Sequence, residues 1–448
     1  MNGQLQRWAC AMKSLLVIFA LAIWFGIASS EGASAQSLNK SEKVDTQQAP
    51  SPTGVTGDWG GMRSHLSDDG VNVAASYVSE TAWNFAGGQR QLVRETGQFA
   101  LGATGDMERL LGLPGGTVQA TITARRGDDL GAAAGLGVLQ QVQEVYGRGQ
   151  TVRLTQLWYE QTFGQGDFAL KIGRATVGED FDSFNCYFMN LSFCGSQPGN
   201  LAGSYWYNWP VSQWTGRLRY HDGNRYIQAA VYEINPHNLD NNFSFGKFDG
   251  ATGVLLPFEI GLNPDPTATG GISFYKLGGW YSNAPGNDVF LDVNYQPLAL
   301  THGAPLQRPD RYGIWFSGQQ QIFGTAVDGN FVSGLAVFLN VTFTDHRSST
   351  IDDQIAGGLW WKGFIAALPD DVLGVGFART HVNANVARGE RLSDSIIQHS
   401  EYAGEIYYSL HPFDWLEMRP NFQWIHHPGG DGNAADIGVM GMKAGITL

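Results

Sequence analysis

The chain has 448 residues, a net charge of −13, 15% charged and 12% aromatic side chains, and 59 glycines. The acidic excess argues against nucleic acid as a partner, and a mean hydropathy of −0.18 argues against a bundle of membrane helices. Low charge with many aromatics and glycines suits a β-barrel. No break in composition marks a domain boundary, so the length fits one large barrel as well as two or three ordinary domains.

Arg7 and Lys13 precede an apolar run from Leu15 to Ala28, and small residues follow to Ala33-Ser34-Ala35. Residues 1–35 therefore read as a secretory signal with a cut near Ala35; the run is shorter than the ~20 residues an uncleaved spanning anchor needs. Without Arg7, Lys13 and Glu31, 26 basic and 40 acidic residues remain, a net charge of −14. Residues 36–66 read as a periplasmic leader: a polar, proline-bearing stretch through 55, then TGDWGGMRSHL, which suits one short helical turn at a barrel end.

From 67 to 448 the pattern predicts an all-β, up-and-down antiparallel transmembrane barrel of sixteen strands. They lie near 71–83, 96–106, 115–126, 151–163, 167–175, 213–221, 224–233, 251–261, 270–282, 310–323, 330–343, 351–363, 371–380, 400–410, 414–427 and 434–447. Even-numbered strands are mostly followed by short turns and odd-numbered ones by longer loops, such as 127–150, 176–212, 234–250, 283–309 and 381–399. Turns at one rim and loops at the other are what an up-and-down barrel produces. No repeat of propeller length is visible.

Parity then assigns the faces, because successive strand side chains point to opposite sides. In WLEMRPNFQW, Leu416, Met418, Phe422 and Trp424 oppose Glu417, Arg419, Asn421 and Gln423. A membrane barrel turns the oily set to lipid and the polar set to a wet bore. On the same rule Arg125, Arg217, Arg219, Lys276, Trp280, Glu401, Glu405, Glu417 and Arg419 are candidates for the pore wall. Arg153 and Glu160 conflict in parity; Glu160 is placed inward with Gln156 and Trp158, and Arg153 near the rim. Pro420 is expected to distort its strand locally. Adjacent His426 and His427 should point apart, which disfavours a metal.

Arginine forks and carboxylates can donate to and accept from vicinal hydroxyls; the bland alternative is that these charges merely pair across the bore. The loop 176–212 carries Glu179, Asp180, Phe181, Asp182 and Trp206. It also holds Cys186 and Cys194, whose pairing is the default in an exported protein, with two free thiols as the alternative. Closing so short a loop contributes about 2–3 kcal/mol.

Several stretches resemble the carbohydrate-selective porin family of bacterial outer membranes (OprB type): TGDWGGMR at 56–63, LWYEQTF at 157–163 with LKIGR at 170–174, and VGEDFDSFNCYFMN at 177–190. LGGWYS at 277–282, DDVLGVGFA at 370–378 and MRPNFQWIHHPGG at 418–430 complete the series. Many outer-membrane barrels end in Phe, whereas this chain ends in Leu448. The resemblance implies a sixteen-stranded outer-membrane channel whose third long loop, 176–212, folds inward as a constriction. It implies small sugars such as glucose as permeants and outer-membrane lipid as surroundings, and it permits a homotrimer.

No nucleotide loop, serine-hydrolase elbow or zinc motif is present, so no catalytic residue, cofactor or metal is expected. The alternatives are a general or cation-preferring diffusion porin and, from another class, a secreted β-rich carbohydrate-acting enzyme or lectin.

Overall fold

The structure, a computed structural model, describes residues 54–246, 249–263, 272–327 and 330–448, with only the backbone described at 326, 327, 330 and 331. Residues 1–53, which include the expected signal and most of the expected leader, lie outside the described residues. Sixteen strands form one closed antiparallel barrel. They are β1 Val71–Ala86, β2 Val93–Asp106, β3 Gly116–Gly127, β4 Val152–Phe163, β5 Phe168–Ala175, β6 Gln213–Asp222, β7 Arg225–Ile234 and β8 Gly253–Leu262. Then follow β9 Phe274–Ser282, β10 Arg311–Val327, β11 Asn330–Thr344, β12 Ile351–Lys362, β13 Val372–Val382, β14 Ser400–Phe413, β15 Leu416–His426 and β16 Ile437–Thr447. Each strand pairs with its chain neighbour, and β1 closes on β16, with Ser76 opposite Thr447 and Trp83 opposite Met440. Closure removes the unpaired edges that lipid cannot solvate.

The faces are inverted relative to a soluble sheet. On β3, Ile122 is 41% exposed while Thr121, Thr123 and Arg125 are buried. Leu170, Ile172, Leu218, Phe258, Ile260 and Phe377 are exposed in the same way, whereas Lys171, Arg217, Arg219, Glu259 and Glu405 are buried. Polar groups survive inside because the bore is filled with partners (below), and the oily outside suits acyl chains.

The strands differ from the expected ranges mainly at their ends. β1 and β10 each run a few residues longer, and β16 begins at Ile437. In β10 the register toward β11 shifts between Gln321 and Phe323. The extra residue leaves neighbouring Ile322 and Phe323 both exposed. Pro420 keeps its pairing with Met442 on β16, while the ladder toward β14 steps from Asn421–Tyr407 to Met418–Leu410. A proline has no N–H for one side of its strand.

One expectation fails outright. β15 ends at His426, and His427 takes a left-handed backbone, φ 54°. The two imidazoles therefore do not diverge; their centroids lie 3.7 Å apart, with His426 Nδ1 2.7 Å from Asp436 Oδ1.

At the short-turn rim, residues 54–69 pack where β16 ends. Met62–Asp68 form helix α1. Arg63 sits 4.6 Å over the Trp59 ring and donates to the Leu448 carbonyl at 2.7 Å, and Val55 N–H donates to Thr447 O at 3.0 Å.

Candidate functional site

The segment 176–212, between β5 and β6, turns into the bore and is fastened there. A capping box between Thr176 and Glu179 starts a single helical turn, Val177–Asp180. Asp180 Oδ1 receives Lys171 Nζ at 2.7 Å and Arg217 Nη1 at 2.5 Å, and its Oδ2 accepts the Tyr232 hydroxyl at 2.7 Å. Lys171 also lies 3.5 Å from Glu179 Oε1, and Arg217 extends the chain to Glu160 Oε2. Burial pushes the Asp180 carboxyl up, but Arg217 and Lys171 pull harder and hold it below the usual carboxylate range.

Two residues on, Asp182 sits at φ 48°, and burial pushes its carboxyl up to about 8. Its backbone N–H donates to Glu259 Oε2 on β8 at 2.8 Å. Glu259 also accepts Tyr226, Gln228 and Trp315. Lys276 on β9 donates to Ser183 O and Oγ at 3.0 and 2.8 Å.

The next stretch is held by packing. Phe184 meets Phe338 at 5.1 Å between centroids, and Phe188 meets Phe193 and Tyr407 at 4.9 Å each. Gly376 on β13 makes room: a Cβ there would meet Phe193 and Phe188 at 3.0 and 3.1 Å. The Cys186–Cys194 disulfide closes this hairpin-like bend. Wall charges clasp its backbone. Glu405 accepts the N–H groups of Met189 and Asn190 at 2.8 and 2.7 Å. Arg419, braced by Glu417 at 2.6 Å, donates to the carbonyls of Cys186 and Tyr187. Lys443 donates to those of Cys186 and Phe188.

Farther along, Trp206 is fully buried against Trp280 and Trp315, each 5.4 Å away between centroids. Trp280 donates its indole N–H to the Tyr205 hydroxyl at 3.1 Å. Together with Phe181 and Tyr232 these residues form a core inside the barrel. Trp280, placed on the pore wall by parity, is thus wedged beneath the loop.

The resemblance singled out one inward loop; among the described residues the structure shows two. The connection 128–151 also bends in. Glu401 accepts Leu139, Gln140 and Gly429 N–H groups, so it joins this loop to the one after β15. Glu80 accepts Val145 N–H, and Lys443 lies 3.1 Å from Glu80 and 2.6 Å from Glu144. Arg125 donates to Gln98 and to Gly147 O. The mixed run of Gln140, Gln141, Val142 and Gln143 was the available signal: amides and valines together suit a stretch packed in a wet but enclosed place.

The Arg153–Glu160 conflict has a physical cause. Thr121 pairs with Gln156 and Ile122 with Leu154, so Thr155 is an extra residue in β4. The bulge turns Arg153, Gln156, Trp158 and Glu160 to the same side. Arg153 then donates to the carbonyls of Arg148, Asn238, Leu239 and Asp240 near the long-loop rim.

Arg219 donates to Gln228 and lies 5.0 Å over the Tyr226 ring. Glu160, Lys171, Glu179, Asp180, Arg217 and Arg219 thus gather on one side of the bore. Lys276, Glu405, Glu417 and Arg419 hold the loop on the other. The loop is thus tied to the wall on both sides of the bore, among charges balanced in sign instead of a row of one sign.

Comparison with known proteins gives a consistent result. Residues 90–448 match the family described as carbohydrate-selective porin, OprB family. Porin B of Pseudomonas aeruginosa is 40% identical over 416 residues, covering 88% of this chain and 91% of that protein. The high-pH structure of Pseudomonas putida OprB superposes with a TM-score of 0.85 at 38% identity, covering 89% of this chain and 99% of that one.

Proposed function

The chain belongs to the carbohydrate-selective porin, OprB family, and we propose that it passes glucose and related small sugars. It is a transmembrane β-barrel of the bacterial outer membrane and a channel for carbohydrates. Its relatives are porins, and we assign its carboxylates to binding and anchoring, with no catalytic role.

The observation that carries the sugar reading is the strip Glu160–Lys171–Asp180–Arg217 at the edge of the inward loop, where every charge has an opposite within reach. Such a strip leaves no net field that would favour an ion, and Glu160, its half-buried member, presents an acceptor to hydroxyls. Arg125, Arg219, Lys276, Glu405, Glu417 and Arg419 serve the path mainly by fixing its width. Sugars and outer-membrane lipid are the partners in this reading; cross-linking in lipid tests the homotrimer. Liposome swelling with sugars, amino acids and salts tests the whole: faster entry of monosaccharides than of amino acids of similar size supports it. Entry ranked only by size, or only by cation charge, discards it.

A further inference from the structure

The structure assigns a second sugar contact to Trp158, on the bore wall at the level of the inward loop; the inference rests on the sugar-porin reading. β4 descends from the long-loop rim at Val152 to the short-turn rim at Phe163. Gln156 meets the inward loop through Glu179, and Trp158 lies one step further down on the same wet face. Short turns face the periplasm in barrels of this kind; Glu160, one step below Trp158, still reaches the loop through Arg217 and Asp180, so a permeant meets Trp158 within the constriction.

Three observations point to a ligand there. First, Trp158 is a partly exposed aromatic on the wet face. The wall's Trp280, Trp315, Phe338, Trp360, Tyr407 and Tyr226 are all buried, and Phe274 packs on the loop cluster. Second, the Trp158 indole Nε1 is buried and has no hydrogen-bond partner, although a buried indole N–H ordinarily finds one.

Third, its surroundings are furnished for hydroxyls. Gln119 is its register partner on β3 and belongs to a chain of side-chain hydrogen bonds from Thr104 through Thr121 to Gln156. Glu160, two residues on and facing the same way, gives Oε2 to Arg217, while Oε1 accepts no hydrogen bond among the described residues. Lys171, fixed by Asp180, stands 4.5 Å from the indole centroid and pins the ring. A pyranose has an apolar C–H face and an equatorial belt of hydroxyls. A pinned indole with a carboxylate and an amide beside it complements both. An acyclic polyol has the hydroxyls without the flat face.

The test uses the whole protein in planar bilayers, reading current fluctuations and half-saturating concentration with glucose and with sorbitol. In the parent, glucose should half-saturate at a lower concentration than sorbitol. Trp158→Ala should raise the glucose value about tenfold, equivalent to about 1.4 kcal/mol, and Trp158→Phe should stay within about twofold. Equal values for glucose and sorbitol in the parent overturn the Trp158 contact without needing any variant, as does an unchanged glucose value in a folded Trp158→Ala protein. A parent that shows neither sugar binding nor sugar flux overturns the porin reading itself, and the contact falls with it.

Discussion

Residues 177–182 and residues 184–193 belong to one loop, yet the wall holds them by different means. The first stretch is fastened by charge: Asp180 between Lys171 and Arg217, with Glu259 on the Asp182 amide. The second is fastened by shape at its side chains, Phe184, Phe188 and Phe193 sitting against Phe338, Ala336, Ala356 and Tyr407 over a gap left by Gly376, while Glu405, Arg419 and Lys443 hold only its main chain. Charge pairs orient but cost desolvation, whereas packed rings stabilise but orient little. The ionic stretch contributes Asp180 to the strip proposed above for the solute; the packed stretch lies across the bore from it.

The sharpest break in this comparison comes from damaging each half alone. Asp180→Ala leaves two buried cations and the Tyr232 hydroxyl without their acceptor, and should cost about 3–5 kcal/mol. Phe188→Ala should cost about 3–5 kcal/mol through a cavity. Denaturant midpoints in detergent give both values; sugar preference separates them. Asp180→Ala should lose discrimination among solutes, while Phe188→Ala should mainly raise open-channel noise. If both variants changed selectivity alike, the division of labour would be wrong.

Cys194→Ser should cost about 2–3 kcal/mol by freeing a short closed loop, read as a lower midpoint under non-reducing conditions. Glu405→Gln keeps one acceptor for two amides and should cost about 1–3 kcal/mol. Faster hydrogen exchange at Met189 or Asn190, with little change at Asp182, is the expected pattern. A last effect concerns pH. Asp182 rises from its ordinary 3.8 to about 8 on folding. The folded state thus favours the protonated carboxyl, and stability should fall as pH climbs from about 4 to 8. Asp180 runs oppositely: its contribution is present above the ordinary carboxylate range and fades in acid. Asp182→Asn, which suits the left-handed backbone, should flatten the decline on the alkaline side; an identical slope in that variant would remove Asp182 from the account.

Much of the barrel was legible because one rule, alternation, repeats along each strand. Where alternation broke, reading broke. The Thr155 bulge and the turn at His427 each move one residue out of step; no glycine or proline announces the first, while the second is marked only by Pro428-Gly429-Gly430 after it. The site was less legible than the wall. That Arg125, Arg217 and Glu405 face inward follows from parity. That Glu405 seizes the amides of Met189 and Asn190, 216 and 215 residues away, does not. The buried Trp280 shows the same limit: parity gives a side of the sheet, and only the folded loop decides whether that side is wet.

The wall also takes hold of the loops by their main chain. Glu405, Glu401, Arg419, Lys443 and Arg153 bind amides and carbonyls that every non-proline residue carries. Substitution in the loops therefore leaves these clasps intact. A descendant of this channel can exchange the side chains that greet the solute, and so acquire a new diet, while inheriting the aperture unaltered.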